Sequence, residues 1–218
     1  RRWDGADLTV RQLIDEGKLG KVRRIEMAWV SFGMWGGWRG QRAMGGGKLY
    51  DLGAHLLDQL CQVMPQKATS VYAKLQYDSD KGDTESDAVV TIGFEDGATA
   101  IMETSSICAI PKPRFYVTGS GGTFVKHGLD PQERAMIDGD IDAAIESEAN
   151  FAQYSDGKTR TAVPTMPGRW RNYYEDIADA LTQDRPPAVT AQSVRRSIAL
   201  FDAIWRSAAE GGAVRISV

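Results

Sequence analysis

The sequence predicts an α+β domain built on an open, predominantly antiparallel β-sheet with helices on one face. Three observations predict this fold. Strand-like segments follow one another directly in the middle of the chain, helical segments stand at its beginning and end, and no alternating strand–helix–strand pattern appears. The 218 residues are enough for a single domain, residues 1–218, around one core.

The first half of the chain is predicted to form a helix, a strand, a loop and a second helix. A short amphipathic helix ends at Gly17, and the β-branched and aromatic residues of 21–33 predict a long strand. Residues 34–47 combine many glycines with tryptophan and arginine, which is typical of a binding loop. A helix over 49–63 then ends before Pro65.

Consecutive strands are predicted in the middle of the chain. Residues 71–77, 88–94 and 98–107 alternate apolar and polar side chains, the pattern of strands with one buried face. A hairpin is predicted around the Gly119–Gly122 turn. Because this glycine-rich turn joins two strands, it lacks the helix N-terminus that binds a pyrophosphate.

The last third of the chain is predicted to contain an irregular segment, an edge strand and two helices. Residues 138–160 are acidic and are expected to be a surface excursion, and 159–163 are expected to form the edge strand. The two closing helices carry apolar stripes between 170 and 181 and between 194 and 208. Both stripes are expected to lie in the core.

The composition excludes several classes of function. A net charge of −3 argues against nucleic acid as a partner, because its binders need a concentrated basic surface. No apolar run approaches the roughly 20 residues that span a bilayer, so no membrane partner is expected. Cys61 and Cys108 lie far apart in apolar contexts and are expected to be reduced, as in a cytoplasmic protein; a disulfide bond between them is the alternative. The chain starts without methionine, and we expect it to be part of a longer protein.

Asp51 and His55 are the strongest candidates for catalysis. Their spacing of four residues places both side chains on one face of the predicted helix, and Asp58 shares that face. A histidine oriented by a carboxylate can transfer protons near neutral pH. One alternative is an acid favoured by the helix N-terminus beside a structural histidine. Another is a metal site of Asp51, His55 and Asp58, but no cysteine or further histidine joins it, so no metal is expected.

The glycine-rich loop supplies further candidates. Trp35, Trp38, Arg39 and Arg42 have large rings and charges that suit contact with a ligand. The alternative is that the rings pack over the sheet edge while the arginines remain solvated. His127, the second of two histidines, is expected to be a surface residue.

One segment resembles the signature of a known family. The sequence GGGKLYDLGAHLLD at 45–58 resembles the G-G-G-x-L-x-D-x-G-x-H-x-x-D motif of the Gfo/Idh/MocA family of NAD(P)-dependent oxidoreductases. Residues 1–26 resemble the junction where that family's chain leaves its Rossmann domain, and 186–218 resemble its closing helix and final strand. Residues 112–133 are similar to a branch that includes NADP-dependent scyllo-inositol dehydrogenases.

The resemblance implies a C-terminal substrate-binding and catalytic domain that takes part in hydride transfer between a sugar or inositol CH–OH group and NAD or NADP. In that family His55 would match the base, and Asp51 the acid that works with it and positions the substrate. Gly46 and Gly47 would let the backbone approach the cofactor. The implied substrate contacts are Trp38, Arg39, Arg42 and, as weaker candidates, Lys112 and Arg114.

The resemblance also implies parts that this sequence lacks. The family's Rossmann domain, with a glycine-rich loop and a catalytic lysine in an E-K-P motif, is expected before Arg1. This chain alone is therefore expected to be inactive, and the open sheet face is expected to form a homodimer or homotetramer. The alternative is a non-catalytic ligand-binding or oligomerisation module of the same fold.

Overall fold

A single β-sheet forms the centre of the computed structural model, which describes residues 1–78 and 80–218. The strands in these residues are β1 Val22–Val30, β2 Ala68–Gln76, β3 Asp87–Phe94, β4 Thr99–Ser105, β5 Phe115–Gly119, β6 Gly122–Lys126, β7 Ala152–Ser155, β8 Arg160–Val163 and β9 Val214–Arg215. Their order across the sheet is β8-β7-β6-β5-β1-β4-β3-β2-β9. β1 and β4 pair in parallel and the other neighbours pair antiparallel, which confirms the open, predominantly antiparallel sheet.

Helices cover one face of this sheet. The helices in the described residues are α1 Gly5–Asp15, α2 Lys48–Asp51, α3 Gly53–Val63, α4 Gln132–Ile137, α5 Arg171–Gln183 and α6 Ala191–Glu210. α3 packs on β1 and β4, α6 packs on β2, and both α1 and α6 contact α3. The predicted α+β class is therefore confirmed.

The side-chain pattern of the central strands explains why only one face is covered. In β3 and β4 every second residue is buried, as Val90, Ile92 and Met102 are, while Thr91 and Ile101 between them are half-buried. The buried residues meet apolar side chains of the helices, which include Leu56, Leu57, Leu60, Leu200 and Ile204.

The helix predicted over 49–63 is divided at Leu52 into α2 and α3. The backbone hydrogen bonds continue through the division, since the Leu52 amide donates to the carbonyl of Lys48 and the Leu56 amide donates to that of Leu52. The predicted end of the first helix is present, since Gly17 has a φ of +72° just after α1. At the start of α6, the side chain of Thr190 accepts a hydrogen bond from the amide of Ser193.

Two expectations about the last third of the chain were wrong. The segment 138–160 is not irregular throughout, because β7 lies in it and pairs with both β6 and β8. The stripe between 170 and 181 is not core: Tyr174 is 70% and Leu181 is 81% exposed. Helical spacing identifies an apolar face but not what covers it.

Within the described residues, no helix has the length and hydropathy needed to cross a bilayer.

Candidate functional site

The motif around Asp51 and His55 begins where the loop meets α2. Gly47 has a φ of +107°, which allows the chain to turn into the helix. Gly47 has no side chain that could cap α2. Instead, the Leu49 amide in the first turn donates a 2.7 Å hydrogen bond to Oε1 of Glu85. Asp51 is the last residue of α2, and His55 lies in the first turn of α3.

Contacts within the chain require glycine at both predicted cofactor positions, Gly46 and Gly47. A Cβ on Gly46 would lie 2.5 Å from the carbonyl oxygen of Arg39 and 2.6 Å from that of Trp38. A Cβ on Gly47 would lie 2.7 Å from Oε1 of Glu85. Packing of the motif against the loop and Glu85 therefore accounts for both glycines, and their contact with a cofactor stays a prediction.

The loop reaches Asp51 through Arg39. Nε of Arg39 donates a 3.0 Å hydrogen bond to Oδ2 of Asp51, and both side chains are partly exposed. The guanidinium carbon of Arg39 lies 4.5 Å from the ring centre of Trp38 and 5.6 Å from that of Trp35. These contacts bring together four of the residues that the sequence predicted for the site.

His55 lies in a different, more enclosed environment. Its ring centre is 5.8 Å from that of Trp29, with 34° between the planes. Two guanidinium groups lie against the same tryptophan: the Cζ atoms of Arg1 and Arg114 are 4.9 Å and 5.1 Å from its ring centre. The histidine is thus surrounded by an aromatic ring and by positive charge.

These surroundings keep the histidine neutral. Burial, followed by the positive charges of Arg1, of the amino group at the start of the chain and of Arg114, lowers the pKa of His55 to about 4, and Asp51 opposes this shift. A neutral imidazole at pH 7 has a free lone pair, which is what a general base needs.

A cavity of about 260 Å³ adjoins His55. The residues that line it come from the beginning of the chain and from three helices, and they include Arg1, Trp3, His55, Asp58, Tyr173 and Ile198. Its wall therefore combines apolar side chains with the imidazole and charged groups.

Asp58 is held by an arginine. Nε and Nη2 of Arg2 donate hydrogen bonds of 2.8 and 2.6 Å to its two carboxylate oxygens. Asp51 is likewise paired with Arg39. Both carboxylates of the alternative metal site, which would consist of Asp51, His55 and Asp58, therefore already have cationic partners. Within the described residues, no group of three or more histidine, cysteine, aspartate or glutamate side chains could hold a metal ion.

Two predicted substrate contacts, Arg42 and Lys112, lie outside the immediate surroundings of His55 and Asp51, whereas a third, Arg114, adjoins His55. Arg42 lies 5.0 Å from the ring centre of Trp205 and lines a different cavity, of about 270 Å³. Lys112 is paired with Glu103 on the open sheet face. Arg114 is buried and donates to Gln59, so it borders His55 from inside the domain.

The sequence reasoning missed Trp29, Lys48 and Glu85. Trp29 could have been found, because the period of two in β1 places it on the same face as the buried Ile25 and Met27. Glu85 is brought to α2 by the fold alone, and no local pattern predicts its contact. Lys48 stands inside the motif but has no special spacing.

The sheet, the cavity and the Asp51–His55 pair together define an α+β domain with a candidate proton-transfer site. A family model described as the GFO/IDH/MocA C-terminal domain matches residues 8–125. The chain belongs to the GFO/IDH/MocA family. Similar curated proteins are named as oxidoreductases.

Curated proteins and solved structures resemble the chain over nearly all of its length. It is 28% identical over 223 residues to the scyllo-inositol 2-dehydrogenase (NADP(+)) IolW of Bacillus subtilis, covering 96% of the chain and 61% of IolW. It is 31% identical to the uncharacterized oxidoreductase YdgJ of Escherichia coli, covering 93% of the chain and 60% of YdgJ. The yvaA structure from Bacillus subtilis shares the fold, with a TM-score of 0.89 at 24% identity over 99% of this chain and 64% of that one. The chain thus spans about three fifths of these relatives' length.

Proposed function

We propose that the chain is the substrate-binding and catalytic domain of a dehydrogenase that transfers hydride between a sugar or inositol CH–OH group and NAD or NADP. The observation that carries this proposal is the position of His55, which lines a cavity four residues after Asp51 at the junction of α2 and α3. The similarity to IolW, which is named as an NADP-dependent scyllo-inositol dehydrogenase, supports this substrate class.

The proposed role of His55 follows from the chemistry of alcohols. A carbinol carbon gives up hydride readily only as its hydroxyl proton departs, so a base must contact the oxygen. His55 would accept this proton on a ring nitrogen. General-base assistance of this kind contributes roughly 10²- to 10⁴-fold to the rate.

Asp51 and Arg39 would position the substrate. A hydroxyl group both donates and accepts hydrogen bonds, and this pair offers a carboxylate acceptor beside a guanidinium donor. Neighbouring hydroxyls of a polyol could engage both groups at once. The rings of Trp35 and Trp38 beside Arg39 suit the C–H faces of a sugar.

The described residues do not by themselves fit a dinucleotide. The glycine-rich turn after β5 leads into another strand rather than a helix, and contacts within the chain fill the space beside Gly46 and Gly47. A nicotinamide supplies the hydride acceptor when it is bound. We propose that a Rossmann domain in a longer protein holds it, and that this chain alone is inactive.

We include location and assembly in the same proposal. A cytoplasmic protein suits the free thiols of Cys61 and Cys108. A homodimer or homotetramer suits the half-buried apolar side chains on the uncovered sheet face.

The test uses the full-length protein with inositols and aldoses. His55→Ala is expected to lower kcat about 10²- to 10⁴-fold while the affinity for NADPH or NADH, followed by nicotinamide fluorescence, stays within twofold. His127→Ala is the matched control, because it removes the other histidine of the chain from an exposed position, and it should leave kcat unchanged. If His55→Ala turned over normally, or the unmodified protein oxidised none of these compounds, the non-catalytic module would be favoured.

A further inference from the structure

Two lysines of the chain are equally buried but differ in their partners. Lys48 and Lys126 each have only 2% of their surface exposed. Nζ of Lys126 donates to the carboxylate of Glu146 and to two backbone carbonyls. Lys48 has no carboxylate partner among the described residues, and burial alone lowers its pKa. Burying a cation without a counter-charge is costly, so its position requires an explanation.

Lys48 joins the ends of two parallel strands. Its Nζ donates a 2.6 Å hydrogen bond to Oγ of Ser31, just after β1, and a 2.8 Å hydrogen bond to the carbonyl oxygen of Ser105, the last residue of β4. The loop with the predicted substrate contacts begins at the end of β1. Lys48 is therefore fixed to the sheet at the root of this loop.

The third contact of Lys48 is with the loop itself. Nζ lies 5.0 Å from the ring centre of Trp35, and Arg39 lies near the same ring. Arg39 in turn bonds Asp51. The loop is thus attached through side chains to both ends of α2, at Lys48 and at Asp51.

The two attachments differ in what a bound ligand would do to them. A substrate that engages Asp51 competes with Arg39 for the carboxylate, whereas Lys48 is too buried to be reached. Backbone hydrogen bonds, including that from the Gly47 amide to the Arg39 carbonyl, hold the later part of the loop. Trp35, in the earlier part, has the ammonium group of Lys48 and the guanidinium group of Arg39 beside its ring.

We propose that Lys48 is a positioning residue, which holds Trp35 and the first part of the loop in place while Asp51 and Arg39 engage the substrate. Its effect on turnover rests on the proposed function, but its effect on Trp35 does not. A cation near an aromatic ring is worth enough to change affinity between about threefold and thirtyfold.

The first experiment measures the loop directly in the full-length protein labelled with 5-fluorotryptophan. The Trp35→Phe variant identifies the fluorine signal of Trp35, because that signal disappears from its spectrum. Lys48→Met keeps the length and apolar stem of the side chain, and it should shift or broaden this signal. The signals of the other tryptophans should stay in place. Lys126→Met is the matched control and should leave the Trp35 signal unchanged.

The second experiment compares the thermal stability and the kinetics of the Lys48→Met and Lys126→Met variants. Lys48→Met removes an uncompensated buried charge, so Tm should stay within about 2 °C or rise while KM increases roughly threefold to thirtyfold and kcat changes little. Lys126→Met leaves Glu146 buried without its partner, so Tm should fall by roughly 10 °C with KM unchanged. In a Lys48→Met/Trp35→Leu double variant the increases in KM should not multiply.

Several results would overturn the proposal. An unchanged Trp35 signal, or a fall in Tm like that of Lys126→Met without a selective rise in KM, would make Lys48 an ordinary structural residue. Fully multiplicative effects of Lys48→Met and Trp35→Leu would do the same. If the unmodified protein showed no turnover, the proposed function would fail, whereas the Trp35 signal would still decide the role of Lys48.

Discussion

His55 and Asp51 are four residues apart in the chain but differ in what surrounds them. Asp51 faces the loop and is paired with Arg39, whereas His55 is packed against Trp29 inside the domain. Asp51 affects the pKa of His55 less than burial and the neighbouring arginines do. At the residue scale, the proposed base and the proposed substrate-binding pair therefore lie side by side, each with its own partners.

The low pKa of His55 leads to a prediction for the acid range. The native pKa of about 4 lies below the ordinary value of 6.5, so His55 should remain neutral until the pH falls toward 4. The unfolded chain takes up this proton near 6.5, and His55 therefore makes the fold less stable as the pH drops from 6.5 toward 4. Carbon-13 NMR of labelled histidine should show a signal, absent in His55→Gln, with its midpoint near 4. A midpoint near 6.5 would contradict the burial of the ring.

At the element scale, α2 depends on a carboxylate from a distant part of the chain. Glu85 accepts the hydrogen bond of the Leu49 amide and lies against Gly47. Glu85→Ala should cost about 1–3 kcal/mol of folding stability, because it leaves a buried amide unpaired. Gly47→Ala should cost at least ~2 kcal/mol, since strain at its positive φ adds to a clash with the carboxylate.

A double-mutant cycle separates these two causes. When Glu85→Ala is already present, the cost of Gly47→Ala should shrink, because the clash is gone and only backbone strain remains. Gly45→Ala is the control: Gly45 also has a positive φ, but no atom lies within 4 Å of its Cβ position. Its cost should be the same with or without Glu85. Urea unfolding of the three single variants and the two double variants measures each cost, and strict additivity for Gly47 would refute the contact.

These elements show how far sequence reasoning reaches. Period-two strands predicted most of the sheet, and the spacing of Asp51 and His55 placed them on neighbouring helical turns. The parallel pairing of β1 with β4 could not be predicted, because it joins segments separated by two helices and two strands. β7 was missed because its four residues form a strand only between β6 and β8. Glu85 and Trp29 reach the candidate site only because the fold brings distant parts of the chain together, and the spacing of residues in the sequence does not predict such contacts.

At the scale of the whole molecule, two surfaces carry apolar groups without a cover in the described chain. One is the open sheet face, where Ile101 lies among half-buried side chains of the central strands. The other is the outer side of α5, with Tyr174 and Leu181. Strands with one uncovered apolar face commonly associate, so we expect the sheet face to form the contact between two copies.

The sheet-face contact can be tested by introducing a charge on each surface. Ile101→Arg should convert the proposed dimer or tetramer of the full-length protein to a smaller species by light scattering, because an unpaired guanidinium would be buried between copies. The Tm of this variant should decrease only by the amount that association of the copies adds to the stability of the folded chain, since Ile101 lies outside the helix-covered core. Tyr174→Arg is the matched control and should leave the mass unchanged. If Tyr174→Arg dissociated the protein and Ile101→Arg did not, α5 would be the contact between copies, and the sheet face would need a different partner.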